Sequence, residues 1–501
     1  MVVLSRACLH LILVFSLTTS TAYITARNSD QKVIAATPEA HAEFGWASEV
    51  LGNVAAFSVD RSQPQPGTVV VFRKDGSQDT ASQWSQEATL QGTAPRTDSF
   101  GHSLALFEAR GTLRMAASAW AVNQVHVFVC SSPSSSSTFG SWTLSATLTS
   151  QDSASGDFFG RYVAFGANLV AVGAYKHDGG MGAVYVFHRS SGSETWYLEA
   201  KLQPADVQAN DNFGVAVALK DEAVLVGAYC GVEKSCPGAA YVFRRSAAQA
   251  TPGGAWSQEA RLVQSGGEGQ TGDAYGHGVA LETDLAVVGA PWVDSKTGVV
   301  FVYTRATETG QWGSERALIP TSAQPGSLFG RIPQVEGQTI VAGSDVQGLL
   351  NTPGYVHVWR LVNDAWVETY TLVAVDGASG DAGGHHVSLS GNTVVSAAYH
   401  AFVDGLAQAG AGYIFNLPSV QAAPTTSRIE SPTQSPTTSR NESPTRSPTV
   451  GRIESPTQNP TTAPSQSVSS TSTRVSSNSN VPMKRAASLA ILFQILCHVL
   501  L

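Results

Sequence analysis

Trp196-Tyr-Leu-Glu-Ala-Lys-Leu202, Phe213-Gly214, Ala223-Val-Leu-Val-Gly-Ala228 and Gly238-Ala-Ala-Tyr-Val-Phe243 follow one another closely and decide the fold. The same four pieces recur along the chain. Trp followed six residues later by Leu occurs as Trp84/Leu90, Trp142/Leu148, Trp196/Leu202, Trp256/Leu262, Trp312/Leu318 and Trp366/Leu372. Beyond these come Phe100-Gly101, Phe159-Gly160, Phe213-Gly214, Tyr275-Gly276 and Phe329-Gly330, with Phe44-Gly45 opening the series and Gly383-Gly384 as a degenerate last member. The mean period is about 56 residues.

Two further strands are predicted in each period. One is β-branched and ends in a small pair, as in Asn168-Leu-Val-Ala-Val-Gly-Ala174, Leu285-Ala-Val-Val-Gly-Ala290 and Thr393-Val-Val-Ser-Ala-Ala398. The next starts at Gly and ends in an aromatic residue, as in Gly182-Ala-Val-Tyr-Val-Phe187 and Gly298-Val-Val-Phe-Val-Tyr303. These runs are apolar on both strand faces, so both faces are expected to be buried. Four strands per period, covered on both sides by neighbours, predict an all-β fold: a seven-bladed β-propeller over residues 23–418. The last repeat ends at Phe415-Asn-Leu417 without a Trp strand. Lys32-Val-Ile-Ala-Ala36 precedes the first repeat, so the N-terminal segment is expected to supply the last outer strand and close the ring.

These residues resemble the FG-GAP family, the repeat of integrin α-chain propellers, over roughly residues 32–417. The resemblance implies the propeller fold and a recognition role, but it fixes no activity. Integrin-type repeats carry a D-x-D-x-D-G calcium loop between the aromatic-Gly strand and the small-pair strand. Here that connection is Gly166-Ala-Asn168, Lys220-Asp-Glu222, Glu282-Thr-Asp284 or Ser390-Gly-Asn392. Calcium needs six to eight oxygen ligands, so the site is not carried over, and no metal or cofactor is expected.

The two ends are of another kind. Residues 1–22 read as a secretory signal, with Arg6, an apolar stretch from Cys8 to Leu17, and small residues at Ser20-Thr21-Ala22. Residues 419–478 are rich in Ser, Thr and Pro and repeat every 12 residues from Arg428, Arg440 and Arg452. Proline at that density blocks helix and sheet, and too few apolar groups offset the ordering entropy. The segment is expected to be a disordered, O-glycosylated stalk, on the order of 190 Å long if fully extended. Asn441-Glu-Ser443 within it is an N-glycosylation sequon. Residues 479–501 end in the apolar run Ala486 to Leu501, which is short for a bilayer span. With the small residues before it, this run matches a GPI signal with Ser476, Ser477 or Asn478 as attachment candidates; a short membrane anchor is the alternative.

In the mature chain three cysteines remain. Cys230 and Cys236 share one loop and are expected to form a disulfide, the alternative being a metal-binding pair. Cys130 is expected to be a buried free thiol. The net charge of −8, with 14% charged residues, argues against nucleic-acid binding. No nucleophile elbow, His-x-x-x-His zinc motif, P-loop or Rossmann fingerprint is found, so the chain is not expected to be an enzyme.

Two sets of repeated positions carry polar chemistry. Asp98, Asp157, Asp211, Asp273 and Asp381, with Ser327 in the sixth place, precede the aromatic position by two residues. They read as caps of their own turns rather than as a carboxylate ring. The residue after aromatic-Gly is Trp46, His102, Arg161, Val215, His277, Arg331 or His385. On an innermost strand, His102, Arg161, His277, Arg331 and His385 would form a cationic rim at one channel mouth, gaining charge below about pH 6.5. The alternative is that polar residues simply solvate the strand starts. The expected function is recognition or adhesion at a cell surface or in secreted form, by a monomeric head binding an extracellular protein or glycan. A lectin-like sugar binder is the runner-up, and a propeller hydrolase or lyase the rival class.

Overall fold

The computed structural model describes residues 25–28, 30–59, 67–76, 83–93, 99–190, 192–230, 236–246, 255–264, 272–345 and 352–418. The signal 1–22, the stalk 419–478 with Asn441, Ser476, Ser477 and Asn478, the tail 479–501, and Asp98 lie outside the described residues. Among the described residues no helix is long and apolar enough to cross a membrane.

Seven sheets of four strands or more form a β-propeller. Blade 3 shows the plan: Val163–Phe165, Leu169–Ala174, Ala183–Arg189 and Trp196–Leu202 pair antiparallel in chain order. The β-branched second strand is buried along its whole length, as continuous apolar patterning requires. The inner strands of the seven blades are Phe44–Leu51, Phe100–Ala109, Val163–Phe165, Ala216–Lys220, Gly278–Leu281, Pro333–Glu336 and Val387–Ser390. Each contacts the next around the ring, and the seventh contacts the first.

The aromatic-Gly pair belongs to the inner strand only in blades 1 and 2. In blades 3 to 7 it precedes the strand as a turn, where the sequence reading had placed it in the strand. In blades 4 to 7 the turn is met by a backbone approach from the preceding blade. A Cβ added to Gly173, Gly227, Gly289 or Gly343 of the small-pair strands would lie 2.1, 1.9, 1.8 or 1.8 Å from the carbonyl oxygen of Gly214, Gly276, Gly330 or Gly384 in the next blade. In blades 3 to 6 the amide of the aromatic-Gly glycine donates to its own blade's small-pair glycine, Gly214 to Gly227 at 3.0 Å for example, and in blade 7 Gly384 donates to Ser396 Oγ at 3.1 Å. The aromatic side chains Phe44, Phe100, Phe159, Phe213, Tyr275 and Phe329 are almost fully buried beneath these turns.

The outer strands are Trp84–Gln91, Trp142–Leu148, Trp196–Leu202, Trp256–Leu262, Trp312–Leu318 and Ala365–Val373. In blades 1, 3 and 4 the pairing skips one residue, Glu87, Glu199 or Glu259. A bulge re-aims the side chain it carries. Each of these glutamates accepts a hydrogen bond from the outer-strand tryptophan of the following blade: Trp142 Nε1 to Glu87 at 2.7 Å, Trp256 to Glu199 at 2.8 Å and Trp312 to Glu259 at 2.7 Å. Arg245 and Arg305 of the following blades reach Glu199 and Glu259 at 2.7 and 2.9 Å. Burial raises the Glu259 carboxyl pKa, but hydrogen bonds from Arg244, Arg305 and Trp312 outweigh it and hold the carboxyl below its ordinary value.

The ring closes through the N-terminus. Gln31–Val33 is the outer strand of blade 7, pairing antiparallel with Ala411–Asn416. The closing strand is shorter than the sequence suggests, but Ile34 still packs on the blade 7 core. The Gln31 side chain extends the closure sideways, accepting from Trp84 N at 2.9 Å and donating to Trp84 O at 3.0 Å. Lys32 pairs with Asp376 at 2.6 Å. A fifth strand, Thr25–Asn28, runs parallel to Ala365–Val373 on blade 6 and was not foreseen.

The glycine contacts give a direct test. Gly227 has no positive φ, so its identity is required by space alone. Gly227→Ala is expected to lower unfolding stability by about 3 kcal/mol, read by chemical denaturation, because backbone cannot yield to the added methyl as a side chain could.

Candidate functional site

The residue before each aromatic-Gly pair is forced into the left-handed region. Glu43, Ser99, Phe158, Asn212, Ala274, Leu328 and Ala382 have φ between 48° and 58°. The aspartates two residues before the aromatic position fix these turns as caps. The amides of Ala154, Gln208 and Ala378 donate to Asp157, Asp211 and Asp381 at 2.8, 2.7 and 2.7 Å, and that of Gln324 to Ser327 Oγ at 3.0 Å. Asp273 is buried in the same place. Capping occupies Asp157, Asp211, Ser327 and Asp381.

With the turn fixed, the residue after aromatic-Gly leaves at a set angle. It meets a second set of side chains that the sequence reading did not single out, the residues just past the small pairs: Trp120, Tyr175, Tyr229, Trp292, Asp345 and Tyr399. The two sets form a closed collar. Trp46 of blade 1 lies 5.3 Å from His102 of blade 2, centroid to centroid, and His102 lies 6.0 Å from Trp120. The Arg161 guanidinium of blade 3 sits 5.3 Å over Trp120, 5.5 Å over Phe158 and 5.7 Å over Tyr175. Arg161 Nη1 also donates to the Tyr175 hydroxyl at 3.3 Å. Tyr229 of blade 4 lies 5.6 Å from His277 of blade 5, whose Nδ1 is 3.4 Å from the Arg331 carbonyl. Arg331 of blade 6 donates to Asp345 Oδ2 at 3.2 Å, and His385 Nδ1 of blade 7 lies 2.7 Å from the same oxygen. His385 is 4.9 Å from Trp46, which completes the circuit.

The structure therefore brings His102, Arg161, His277, Arg331 and His385 together, but burial opposes the charging of two of the three imidazoles. His102 and His385 are buried. Burial, with Arg331 acting in the same direction, pushes the His277 imidazole down to about 3. His385 is also lowered by burial, and by Arg331, against the opposing pull of Asp345. The expected uptake of protons near pH 6.5 is corrected for these two residues: a buried cation beside a guanidinium is disfavoured whatever its exposed pKa. Asp345 also neutralises part of the Arg331 charge. Val215 is buried, so blade 4 contributes to the collar through Tyr229 instead.

Three other sites complete the polar inventory. Cys230 and Cys236 are bonded, with Cα atoms 6.0 Å apart. Together with Asp211 they are the one grouping of metal-ligand spacing among the described residues, and the bond occupies both sulfurs. Cys130 is a buried thiol, its pKa raised chiefly by burial. His386, adjacent to the collar, is pushed down to about 3 by burial and its Nδ1 lies 3.4 Å from Ser48 Oγ.

Glu49 is the group the sequence reading missed. It projects from the inner strand of blade 1 toward Ser388 of blade 7 and Leu106 of blade 2, and burial pushes its carboxyl up to about 8 despite hydrogen bonds from both. The signal was a lone acid in an otherwise small and apolar strand. An acid with a raised folded pKa loses stability as pH rises from the unfolded value toward the folded one. Glu49→Gln is accordingly expected to match the parent near pH 4.5 and to exceed it progressively toward pH 8. Thermal melts across that window check this.

The FG-GAP repeat family matches this chain at residues 142–187, 196–243, 256–303 and 366–415, which are blades 3, 4, 5 and 7 with the preceding blades' outer strands. No curated protein matches. Among solved structures, Sqt1 of Saccharomyces cerevisiae is similar at 10% identity, covering 79% of this chain and 100% of that one, with a TM-score of 0.41.

Proposed function

We propose that this FG-GAP repeat propeller is a recognition head, that its ligand surface is the collar, and that it works in adhesion or ligand capture at a cell surface or in secreted form. The observation that carries the reading is the collar's composition: every blade places an aromatic or ionic side chain on one closed ring. Aromatic side chains with a few fixed charges are the residues that dominate binding energy in protein recognition. Arg161 and Arg331 supply guanidinium groups suited to an acidic partner. The ligand is an acidic protein or glycan, and no catalytic step or cofactor is assigned to the chain. Nucleic acid is a poor fit to the net charge of −8. A lectin-like sugar binder is the second reading, favoured by the planar aromatic surfaces of Trp46 and Trp120.

The secretory signal, the glycosylated stalk and the GPI-type tail fit this role. A stalk of that composition holds a monomeric head away from the membrane. Phosphatidylinositol-specific phospholipase C is expected to release the protein from intact cells; retention with the apolar tail still present in the mature chain overturns the anchor.

The collar is tested on an array of glycans and extracellular proteins. Arg161→Ala is expected to weaken binding of the best acidic ligand by roughly tenfold or more, consistent with loss of a charge-assisted contact and its stacking. His277 is expected to add no pH dependence to the affinity between about pH 7.5 and 5.5, because burial pushes its imidazole down to about 3. Unchanged affinity in Arg161→Ala and in Trp46→Ala together overturns the collar as the binding surface.

A further inference from the structure

The junction between blades 2 and 3 lacks the glutamate that closes its neighbours. Its bulge residue is Ser145, skipped in the pairing between Leu144 and Ala146 just as Glu87, Glu199 and Glu259 are skipped in theirs. The Ser145 hydroxyl donates to Val127 O in its own blade at 3.1 Å. It is too short to reach across.

The donors of blade 3 are nevertheless in place. Trp196 Nε1 and Arg189 Nε are both buried and have no hydrogen-bond partner. Trp196 Nε1 is the counterpart of Trp312 Nε1, which donates to Glu259 at 2.7 Å. Arg189 is the counterpart of Arg305 and Arg245, which reach Glu259 through Nε at 2.9 Å and Glu199 through Nη2 at 2.7 Å, the Arg245 Nε being likewise without a partner. The remaining nitrogens of Arg189 are engaged, Nη1 with Ser193 O at 2.9 Å and Glu194 at 3.3 Å, and Nη2 with Asn168 Oδ1 at 2.8 Å. Only Nε is left over. Arg189 is 8% exposed, so an unanswered donor there carries a desolvation cost. The local charge favours an anion as well: Arg114 and Arg189 share one carboxylate, Glu194, and Arg110 stands nearby.

Trp196 also borders a cleft of roughly 560 Å³ between the two blades. One wall is Thr147, Thr149 and Gln151; the other presents Phe187 and Leu198, with the Lys201–Asp152 pair at 2.6 Å beside them. Leu198 is 43% exposed. Hydroxyl and amide groups facing an apolar strip suit a hydroxylated ring, and the volume lies in the range of small-ligand sites.

We propose that this junction is a carboxylate-binding site, in which the carboxylate of an external sugar acid takes the place that Glu87, Glu199 and Glu259 hold elsewhere in the ring. The carboxylate accepts from Trp196 Nε1 and Arg189 Nε, and the hydroxylated ring occupies the cleft. The site is separate from the collar and does not depend on it.

Calorimetric titration of the full chain with glucuronate, and with glucose as the neutral control, tests the proposal. The parent protein is expected to bind glucuronate and to bind glucose at least about tenfold more weakly, as loss of a hydrogen-bonded charge implies. Trp196→Phe keeps the ring and removes the N–H; it should cost roughly tenfold or more. Ser145→Glu supplies the missing internal carboxylate, so it should abolish glucuronate binding while raising the melting temperature. Ser145→Ala, which supplies none, should bind as the parent does. Arg161→Ala should leave glucuronate binding intact, which separates this site from the collar. Equal binding of glucose and glucuronate, full affinity in Trp196→Phe, retained binding in a folded Ser145→Glu, or loss of binding in Ser145→Ala each overturns the proposal.

Discussion

The structure depends on one close approach, glycine against backbone between neighbouring blades. In blades 3 to 6 the small-pair glycine has no room for a Cβ, because the carbonyl of the next blade's aromatic-Gly glycine stands where it would go. No hydrophobic contact substitutes for this, since even a methyl group exceeds the space. The approach brings the blades together at backbone distance near the axis. It also pins the aromatic-Gly turn from one side, while the buried aromatic ring pins it from the other. The residue that follows the turn therefore has no freedom over where it points. In blades 4 to 7 fold and collar are two consequences of the same contact.

Toward the rim the blades diverge, and a different device takes over. Bulged glutamates span the gap and gather an indole N–H from the next blade, with guanidinium groups from the same blade, the next or both. Such contacts are costly if half made and favourable only when each partner is satisfied. The apolar clusters between blades supply the bulk of the burial, while the glutamates fix the angular register of one outer strand on the next. Gln31 has an equivalent task at the closing blade, where a three-residue strand alone would hold the ring weakly.

Much of this was legible in the sequence. Trp at the start of five outer strands, the small pairs and the closing N-terminal strand all follow from spacing, because a repeat fold maps period directly onto architecture. The strand at Thr25–Asn28 was not legible, since it is four residues long, its sequence has no apolar alternation and it pairs in parallel. The collar was half legible. Its first set stands beside the obvious aromatic-Gly marker; the second, from Trp120 to Tyr399, stands one or two residues past a small pair that reads simply as a strand end. What sequence could not supply was burial. An imidazole at the mouth of an open channel and one packed between Trp46 and Asp345 have the same letter and opposite acid–base behaviour.

Internal repetition offers a further criterion for where chemistry lies. Positions that bear on the shared geometry keep one residue type in nearly every blade: the buried aromatic, the glycine after it, the capping Asp, the small pair. The position after aromatic-Gly follows a left-handed residue and the pair itself in all seven blades and yet reads Trp, His, Arg, Val, His, Arg, His. Folding places no common demand on that site, so its variety is available to a ligand. The bulge position obeys the same logic from the other direction. Glutamate is demanded there by an indole and a guanidinium that await an acceptor, and where blade 2 offers Ser145 those two donors remain unchanged. Structural demands left unmet at some of several equivalent positions, the Trp196 indole among them, mark places where something outside the chain can meet them.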